Sequence, residues 1–189
     1  VCWALGIHPG FLTSATGPIM FGLDGMNQAA YAAGQPIPNI IGMAFSYSMT
    51  IAVLYPAFAL AVLIFSKSNQ LKTVGKISIA PAFFGISEPL MFGVPVVMNP
   101  FMAIPWIISP TVNVLLGWLA CSSGLVARYA GVTVFNFPMG VTGILNGSFT
   151  IAILEVVVCI IDVLIFMPFV RIQDKKYIDA EKAAETEQN

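Results

Sequence analysis

A single glutamate stands in a long apolar stretch of this 189-residue chain. Glu88 is the only ionised side chain between Lys76 and Arg128, and it occurs in the sequence Ser87-Glu88-Pro89. A carboxylate in such apolar surroundings is costly unless it meets a partner, a water-filled cavity or a proton. We therefore predict that Glu88 binds substrate. A carboxylate that caps a broken helix through free backbone N–H groups would also explain its position.

His8 is the only histidine, and it lies in the sequence Gly6-Ile7-His8-Pro9-Gly10. Glycine and proline on both sides break a helix at the point where the imidazole projects. A lone histidine in apolar surroundings either packs in the core or lines a binding site, and the pattern alone leaves both interpretations open. One histidine by itself does not form a metal site.

Three further acidic side chains occur in apolar surroundings. We expect Asp24 on the outer side of a membrane span over residues 40–66. Glu155 and Asp162 are seven residues apart, which places them on one face of a helix. For this pair we favour a structural partnership with Arg128 or with a neighbouring helix over contact with substrate.

The remaining sequence excludes several classes of function. Cys2, Cys121 and Cys159 occur singly among apolar residues, without the spacing that would bind a metal, and are expected to be small buried hydrophobic residues. No nucleophile–base pair or phosphate-binding glycine loop is present, so we expect neither a complete active site nor a cofactor. The net charge of −1, without a basic run interleaved with aromatic residues, argues against nucleic-acid binding.

The composition predicts an all-α integral membrane protein, because 58% of the residues are hydrophobic and 9% are charged. The clearest spans are residues 40–66 and 149–170, each followed by basic residues. The positive-inside rule places both of these basic segments in the cytoplasm. An even number of crossings must then separate them, and residues 111–127 together with 149–170 supply two.

Between these spans, residues 77–110 are apolar but contain six prolines. Interior prolines remove backbone donors, so we predict short helical pieces with unwound joints, forming a re-entrant hairpin beside a substrate path. Residues 132–147 have the same interrupted character.

We assign residues 1–170 to the membrane domain and residues 171–189 to a charged, solvated cytoplasmic tail. Because Val1 to Leu5 look like the end of a helix, we expect a fragment of a longer protein.

The run FFGISEPLMFGVPVVMNPFMAIPWIISPTVNVLLGWLA at residues 83–120 resembles a family hallmark, N-E-P-I-x-F-G-L-P-I-V-x-N-P. This hallmark is typical of the IIC sugar permeases of bacterial phosphotransferase systems, in the lactose/cellobiose (N,N'-diacetylchitobiose) family. Gly6-Ile7-His8, LDGMNQAAYAAGQPIPNI at 23–40 and SKSNQLKTVGK at 66–76 follow that family's order and spacing. The resemblance covers nearly the whole chain except the tail, as the C-terminal half of such a permease.

The resemblance implies a multi-pass protein of the bacterial cell membrane that holds a disaccharide between re-entrant hairpins. It implies that Glu88 binds the 6-hydroxyl that becomes phosphorylated, that His8 lines the same pocket, and that Asn99 belongs to the motif, either at the substrate or as a backbone cap. The phosphoryl donor would be a phosphocysteine on a separate cytoplasmic IIB component. A homodimer through the family's N-terminal helices is also implied.

One departure from the family concerns the last hairpin, where a proline-tryptophan-threonine-threonine-proline-like segment is usual. This chain has the sequence Asn136-Phe137-Pro138-Met139-Gly140, so Phe137 is the candidate aromatic contact for a sugar ring.

Two rival functions remain open from the residues alone. One is an ion-coupled secondary sugar transporter, which also uses broken helices and a buried carboxylate. The other is a truncated, non-transporting membrane subunit.

Overall fold

Helices make up all of the regular structure in residues 7–8 and 10–187, which the computed structural model describes. The elements are α1 (Gly10–Ala32), α2 (Met43–Tyr47), a π-helical turn (Ser48–Ala52), α3 (Val53–Phe65), α4 (Asn69–Phe83), α5 (Glu88–Gly93), α6 (Pro100–Ser122), α7 (Val141–Leu145) and α8 (Phe149–Glu187). Within these described residues, three continuous segments are long and apolar enough to cross a membrane: Met43–Phe65, Pro100–Ser122 and Phe149–Thr186. The predicted fold class is confirmed. The expectations for Cys2 and for Val1 to Leu5 lie outside the described residues.

The first membrane-length segment lies at the centre of the packing, because its apolar residues are buried on several sides at once. Phe58 of α3 packs against Trp106 of α6 with ring centroids 5.4 Å apart, and against Phe166 of α8 at 4.8 Å. A second apolar cluster surrounds Phe45 and Tyr129, whose rings meet edge to face at 5.5 Å. These aromatic contacts fix the three long helices relative to one another.

The proline-rich stretch is broken twice rather than throughout. The chain leaves helical geometry between α4 and α5 and again between α5 and α6. Residues 100–110, by contrast, are continuous helix and include Pro105 and Pro110. The prediction of short pieces over the whole of 77–110 is therefore wrong for its last third. Each proline removes one hydrogen bond, but in hydrocarbon an unwound joint would leave more backbone groups without partners.

The other acidic side chains in apolar surroundings have structural partners. The Asp24 carboxylate, in α1, accepts hydrogen bonds from the backbone N–H of Ala44 at 2.8 Å and from the hydroxyl of Thr133 at 2.6 Å. Asp162 accepts from the Asn113 amide of α6 at 2.7 Å. Arg128 instead donates to the carbonyl oxygens of Ile37 and Pro38, both at 2.8 Å. The predicted partnership is therefore with neighbouring elements and not with Arg128.

Residues 132–147 form the second interrupted segment, as predicted, with α7 as a short helix within it. The fully buried Glu155 of α8 accepts hydrogen bonds from the hydroxyls of Ser48 and Thr142 and from the N–H of Gly140 at 2.6 Å. Asn146 closes the segment through two 3.0 Å hydrogen bonds with the backbone of Val132. Glu155 thus joins this segment to the π-helical turn.

The charged tail is helical, because α8 continues through it to Glu187. Most of its described side chains are exposed, but Gln173 and Asp174 are buried. The buried Asp174 accepts hydrogen bonds from the N–H groups of Lys67 and Ser68 at 2.7 and 3.0 Å, and from the Ser68 hydroxyl at 2.6 Å. Glu181 accepts from the N–H groups that follow, those of Asn69 and Gln70. Two tail carboxylates therefore cap the start of α4, where free N–H groups favour negative charge.

Candidate functional site

A cavity of about 540 Å³ lies where α1, the first membrane-length segment and the two interrupted segments meet. Its walls include His8 and Thr13 near the start of the described chain, Tyr47 and Tyr55 on either side of the π-helical turn, Glu88 at the start of α5, and Phe135. The volume falls within the range of pockets that hold small molecules. Aromatic walls with a few converging polar groups are a suitable lining for a sugar.

Glu88 and His8 lie on the wall of this cavity and face each other. Nε2 of His8 is 3.7 Å from Oε1 of Glu88, and the two side chains are 65% and 50% exposed. This distance suits an ion pair but is too long for a hydrogen bond. Nδ1 of His8 accepts a hydrogen bond from the N–H of Gly10 at 3.1 Å, so a neutral imidazole carries its proton on Nε2, on the side of Glu88.

The break before α5 positions Glu88. Gly85, with φ of +74°, and Ser87 turn the chain so that Glu88 and Pro89 open the new helix. The helix dipole favours a carboxylate in the first helical turn, which agrees with the alternative interpretation that Glu88 caps a broken helix. Among the described residues, however, no donor hydrogen-bonds the Glu88 carboxylate. Its oxygens therefore keep hydrogen-bonding capacity toward the cavity.

The aromatic wall comes from residues that the sequence analysis did not single out. Tyr47, Ile51 and Tyr55 recur at intervals of four residues and all line the cavity. The π-helical turn widens the helix at this point, and such turns are frequent at functional sites. A neighbouring cavity of about 330 Å³ shares Tyr47 and Tyr55. The four-residue spacing in an uncharged span was the signal in the sequence, although the same spacing also suits a packed helix face.

From the second interrupted segment, Phe135 lines the cavity, whereas Phe137 does not. The Phe135 ring lies 5.5 Å from the ring of Tyr47, and both line the cavity. Phe137 is not among the lining residues. Asn136 between them has φ of +63°, a left-handed conformation that asparagine tolerates, and its amide oxygen lies near Gly85. The sequence that departs from the family pattern thus forms a turn against the tip of the hairpin.

Asn99 caps a helix and does not line the cavity. Its side-chain oxygen accepts hydrogen bonds from the N–H groups of Phe101 and Met102 at 3.1 and 3.3 Å, and its amide donates to the carbonyl of Pro95 at 2.9 Å. These contacts satisfy backbone groups where the chain re-enters α6. Of the four predicted site residues, the structure therefore brings His8 and Glu88 together and places Asn99 and Phe137 elsewhere.

Comparison with known proteins agrees with this architecture. Residues 1–110 match the family described as "Phosphotransferase system, EIIC". The chain therefore belongs to the membrane-embedded EIIC components of sugar phosphotransferase systems.

Individual relatives narrow the comparison to one branch of that family. The chain is 35% identical over 189 residues to the oligo-beta-mannoside-specific EIIC component of Bacillus subtilis (strain 168), covering 96% of this chain and 43% of the relative. It is 34% identical over 194 residues to the cellobiose-specific EIIC component of Geobacillus stearothermophilus, covering 97% and 43%. The resemblance to the lactose/cellobiose/chitobiose class is thereby confirmed.

A solved structure shows the same fold. The crystal structure of the transporter ChbC, the IIC component of the N,N'-diacetylchitobiose-specific phosphotransferase system, superposes with a TM-score of 0.89 at 36% identity. The alignment covers 95% of this chain and 43% of ChbC. This chain therefore spans less than half the length of the relatives to which it is similar.

Proposed function

We propose that this chain forms the sugar-binding part of a phosphotransferase permease for a disaccharide of the cellobiose, lactose or chitobiose class. The observation that carries the proposal is the pairing of His8 and Glu88 on the wall of a cavity of about 540 Å³ whose other walls are partly aromatic. Similarity to components specific for oligo-beta-mannosides, lactose and cellobiose supports an oligosaccharide as the substrate.

In the proposed complex, the carboxylate of Glu88 accepts a hydrogen bond from the 6-hydroxyl of the bound sugar. A hydrogen bond to a charged group contributes about 1.5–3 kcal/mol. Nε2–H of His8 donates to a neighbouring sugar oxygen. Tyr47, Tyr55 and Phe135 cover the apolar faces of the sugar rings, which sets the sugar's orientation.

The chemical step takes place between this sugar and a phosphocysteine on a cytoplasmic IIB partner. The phosphorus–sulfur bond breaks while a phosphorus–oxygen bond to sugar O6 forms, and the cysteine leaves as a thiolate. The hydroxyl proton passes to Glu88 or to water late in the reaction. Such transfers proceed through a loose transition state that depends on alignment more than on a strong base. The contribution of this chain is therefore to position the hydroxyl.

Orientation in the bacterial membrane completes the proposal. The basic residues after α3 and the charged end of α8 lie in the cytoplasm, in accordance with the positive-inside rule. The structure packs these two segments against each other, which is consistent with their lying on the same side.

The proposal is tested by supplying labelled disaccharides to membranes that contain the complete permease together with its phosphorylated IIB partner. We expect 6-phosphorylated disaccharide as the product. Accumulation of unmodified sugar would instead favour an ion-coupled transporter. Absence of both uptake and product, with the protein present in the membrane, would favour a non-transporting subunit.

A further inference from the structure

A third cavity, which shares no lining residue with the cavity of His8 and Glu88, has a basic lining. Its volume is about 460 Å³, and it is lined by Ile64, Phe65, Lys67, Arg171, Asp174, Lys175 and Ile178. Three cations and one carboxylate thus surround the same space. Arg171, Lys175 and Ile178 follow each other at intervals of four and three residues, which places them on one face of α8.

The single carboxylate does not balance these cations. Asp174 is 3% exposed and is held by the backbone N–H groups of Lys67 and Ser68 and by the Ser68 hydroxyl. Its charge is therefore directed at the start of α4. Within the described part of the chain, no carboxylate lies within ion-pair distance of Lys67, Arg171 or Lys175. The cavity therefore retains an excess of positive charge.

The cavity lies at the level where the protein leaves the apolar part of the membrane. α3 ends at Phe65, and the uncharged stretch of α8 from residue 163 ends at Val170, directly before Arg171. The guanidinium of Arg171 lies 5.0 Å from the centre of the Phe65 ring, at this same boundary. Ile64, 59% exposed, adds an apolar surface on the membrane side. Headgroup phosphates and the first methylene groups of lipids occupy this depth in a bilayer.

We infer that this cavity binds an anionic phospholipid, with the headgroup between Lys67, Arg171 and Lys175 and an acyl chain along Ile64. Basic pockets at the membrane surface attract anionic headgroups, and each cation near the surface strengthens the attraction about fivefold. A free phosphate would use the same cations but would gain nothing from Ile64. The site is separate from the sugar cavity, so this inference does not depend on the proposed function.

The test is lipid binding to the complete detergent-purified permease that contains this chain, measured by native mass spectrometry. The probes are phosphatidylglycerol, phosphatidylcholine with identical acyl chains, and glycerol phosphate. We expect preferential binding of phosphatidylglycerol, and a roughly ten- to thirtyfold loss of that binding in the double variant Arg171→Gln/Lys175→Gln. The variant Arg171→Lys/Lys175→Arg keeps both charges and should retain binding, which separates loss of charge from loss of folding.

A matched control removes two exposed lysines of α4 that do not line the cavity, Lys72 and Lys76. The variant Lys72→Gln/Lys76→Gln should leave binding of phosphatidylglycerol within about twofold of the original protein. Equal loss in both glutamine variants would overturn the inference, as would equal affinity for the two lipids or equally strong binding of glycerol phosphate. Unchanged lipid binding with impaired phosphorylation by IIB would also overturn it, because the basic surface would then serve a protein partner.

Discussion

Gly131 lies directly against the backbone of Asp24, so closely that a Cβ at position 131 would overlap the Asp24 carbonyl oxygen. The amide of Gln28, one helical turn after Asp24, donates a hydrogen bond to the carbonyl of Gly131. Asn27 of the same helix donates to the carbonyl of Tyr129 at 3.1 Å. These contacts bind α1 to the segment that leads into Phe135, so they help to shape the cavity that contains His8 and Glu88.

The first prediction is that Gly131→Ala destabilises the protein more than Gly124→Ala. Both glycines have positive φ, +87° and +77°, so alanine is strained at either position by about 1–2 kcal/mol. A Cβ at Gly124 would meet nothing within 4 Å, whereas one at Gly131 must displace backbone. Thermal unfolding of the two detergent-purified variants compares them, and equal midpoints would contradict the close approach.

Sequence reasoning located the membrane-length helices because hydrophobicity acts locally, and the isolated charge of Glu88 pointed to a residue that lines the cavity. The uncharged runs predicted all three long helices, but α6 begins at Pro100 and ends at Ser122 instead of spanning 111–127, and α8 continues beyond residue 170 to Glu187. Counting prolines overestimated the number of helix breaks. The spacing of prolines does not show how much free energy an unwound stretch of backbone costs in hydrocarbon.

Contacts between distant residues explain what the sequence could not show. Ser48 and Glu155, which join the π-helical turn to α8, are 107 residues apart in the chain. Phe135 and Phe137 are equally aromatic, and only the turn at Asn136 decides which of them lines the cavity. Asp174 looked like part of a solvated tail because its partner, Ser68, is 106 residues away.

A second prediction concerns the cap that the tail provides for α4. Asp174→Ala should lower the free energy of unfolding by about 1–3 kcal/mol, because buried N–H groups lose a charged acceptor. Hydrogen exchange should accelerate at the amides of Lys67 and Ser68. The control is Asp179→Asn, an exposed carboxylate of the same helix. Equal exchange rates in the two variants would show that the tail does not hold α4.

The third prediction is that Glu88→Gln abolishes phosphorylation of the disaccharide while the protein remains in the membrane. The amide keeps the shape of the side chain but lacks the charged acceptor for the 6-hydroxyl. Product formation is measured in membranes with equal amounts of each protein. Near-normal phosphorylation by this variant would remove Glu88 from the site and leave it as a helix-capping residue.

A fourth prediction distinguishes the two phenylalanines of the second interrupted segment. Phe135→Ala should weaken disaccharide binding by roughly five- to tenfold, since an aromatic contact of about 1 kcal/mol is lost. Phe137→Ala is the matched control, because this ring is similarly exposed but lies outside the cavity. Calorimetric titration with disaccharide gives both affinities. A larger effect at Phe137 would restore the residue that the sequence favoured.

The last prediction concerns His8, which separates substrate binding from structural support more clearly than the other residues. If Nε2–H of His8 donates to the sugar, His8→Ala leaves a polar group of the bound sugar without a partner, which costs about 1–3 kcal/mol. Affinity should then fall roughly five- to a hundredfold. If His8 instead only supports the chain through its hydrogen bond with Gly10, the variant should show a lower yield but normal affinity. Binding corrected for the folded fraction distinguishes these outcomes. Unchanged affinity would leave Glu88 to bind the sugar without His8, and the 3.7 Å approach of the two side chains would then have no part in binding.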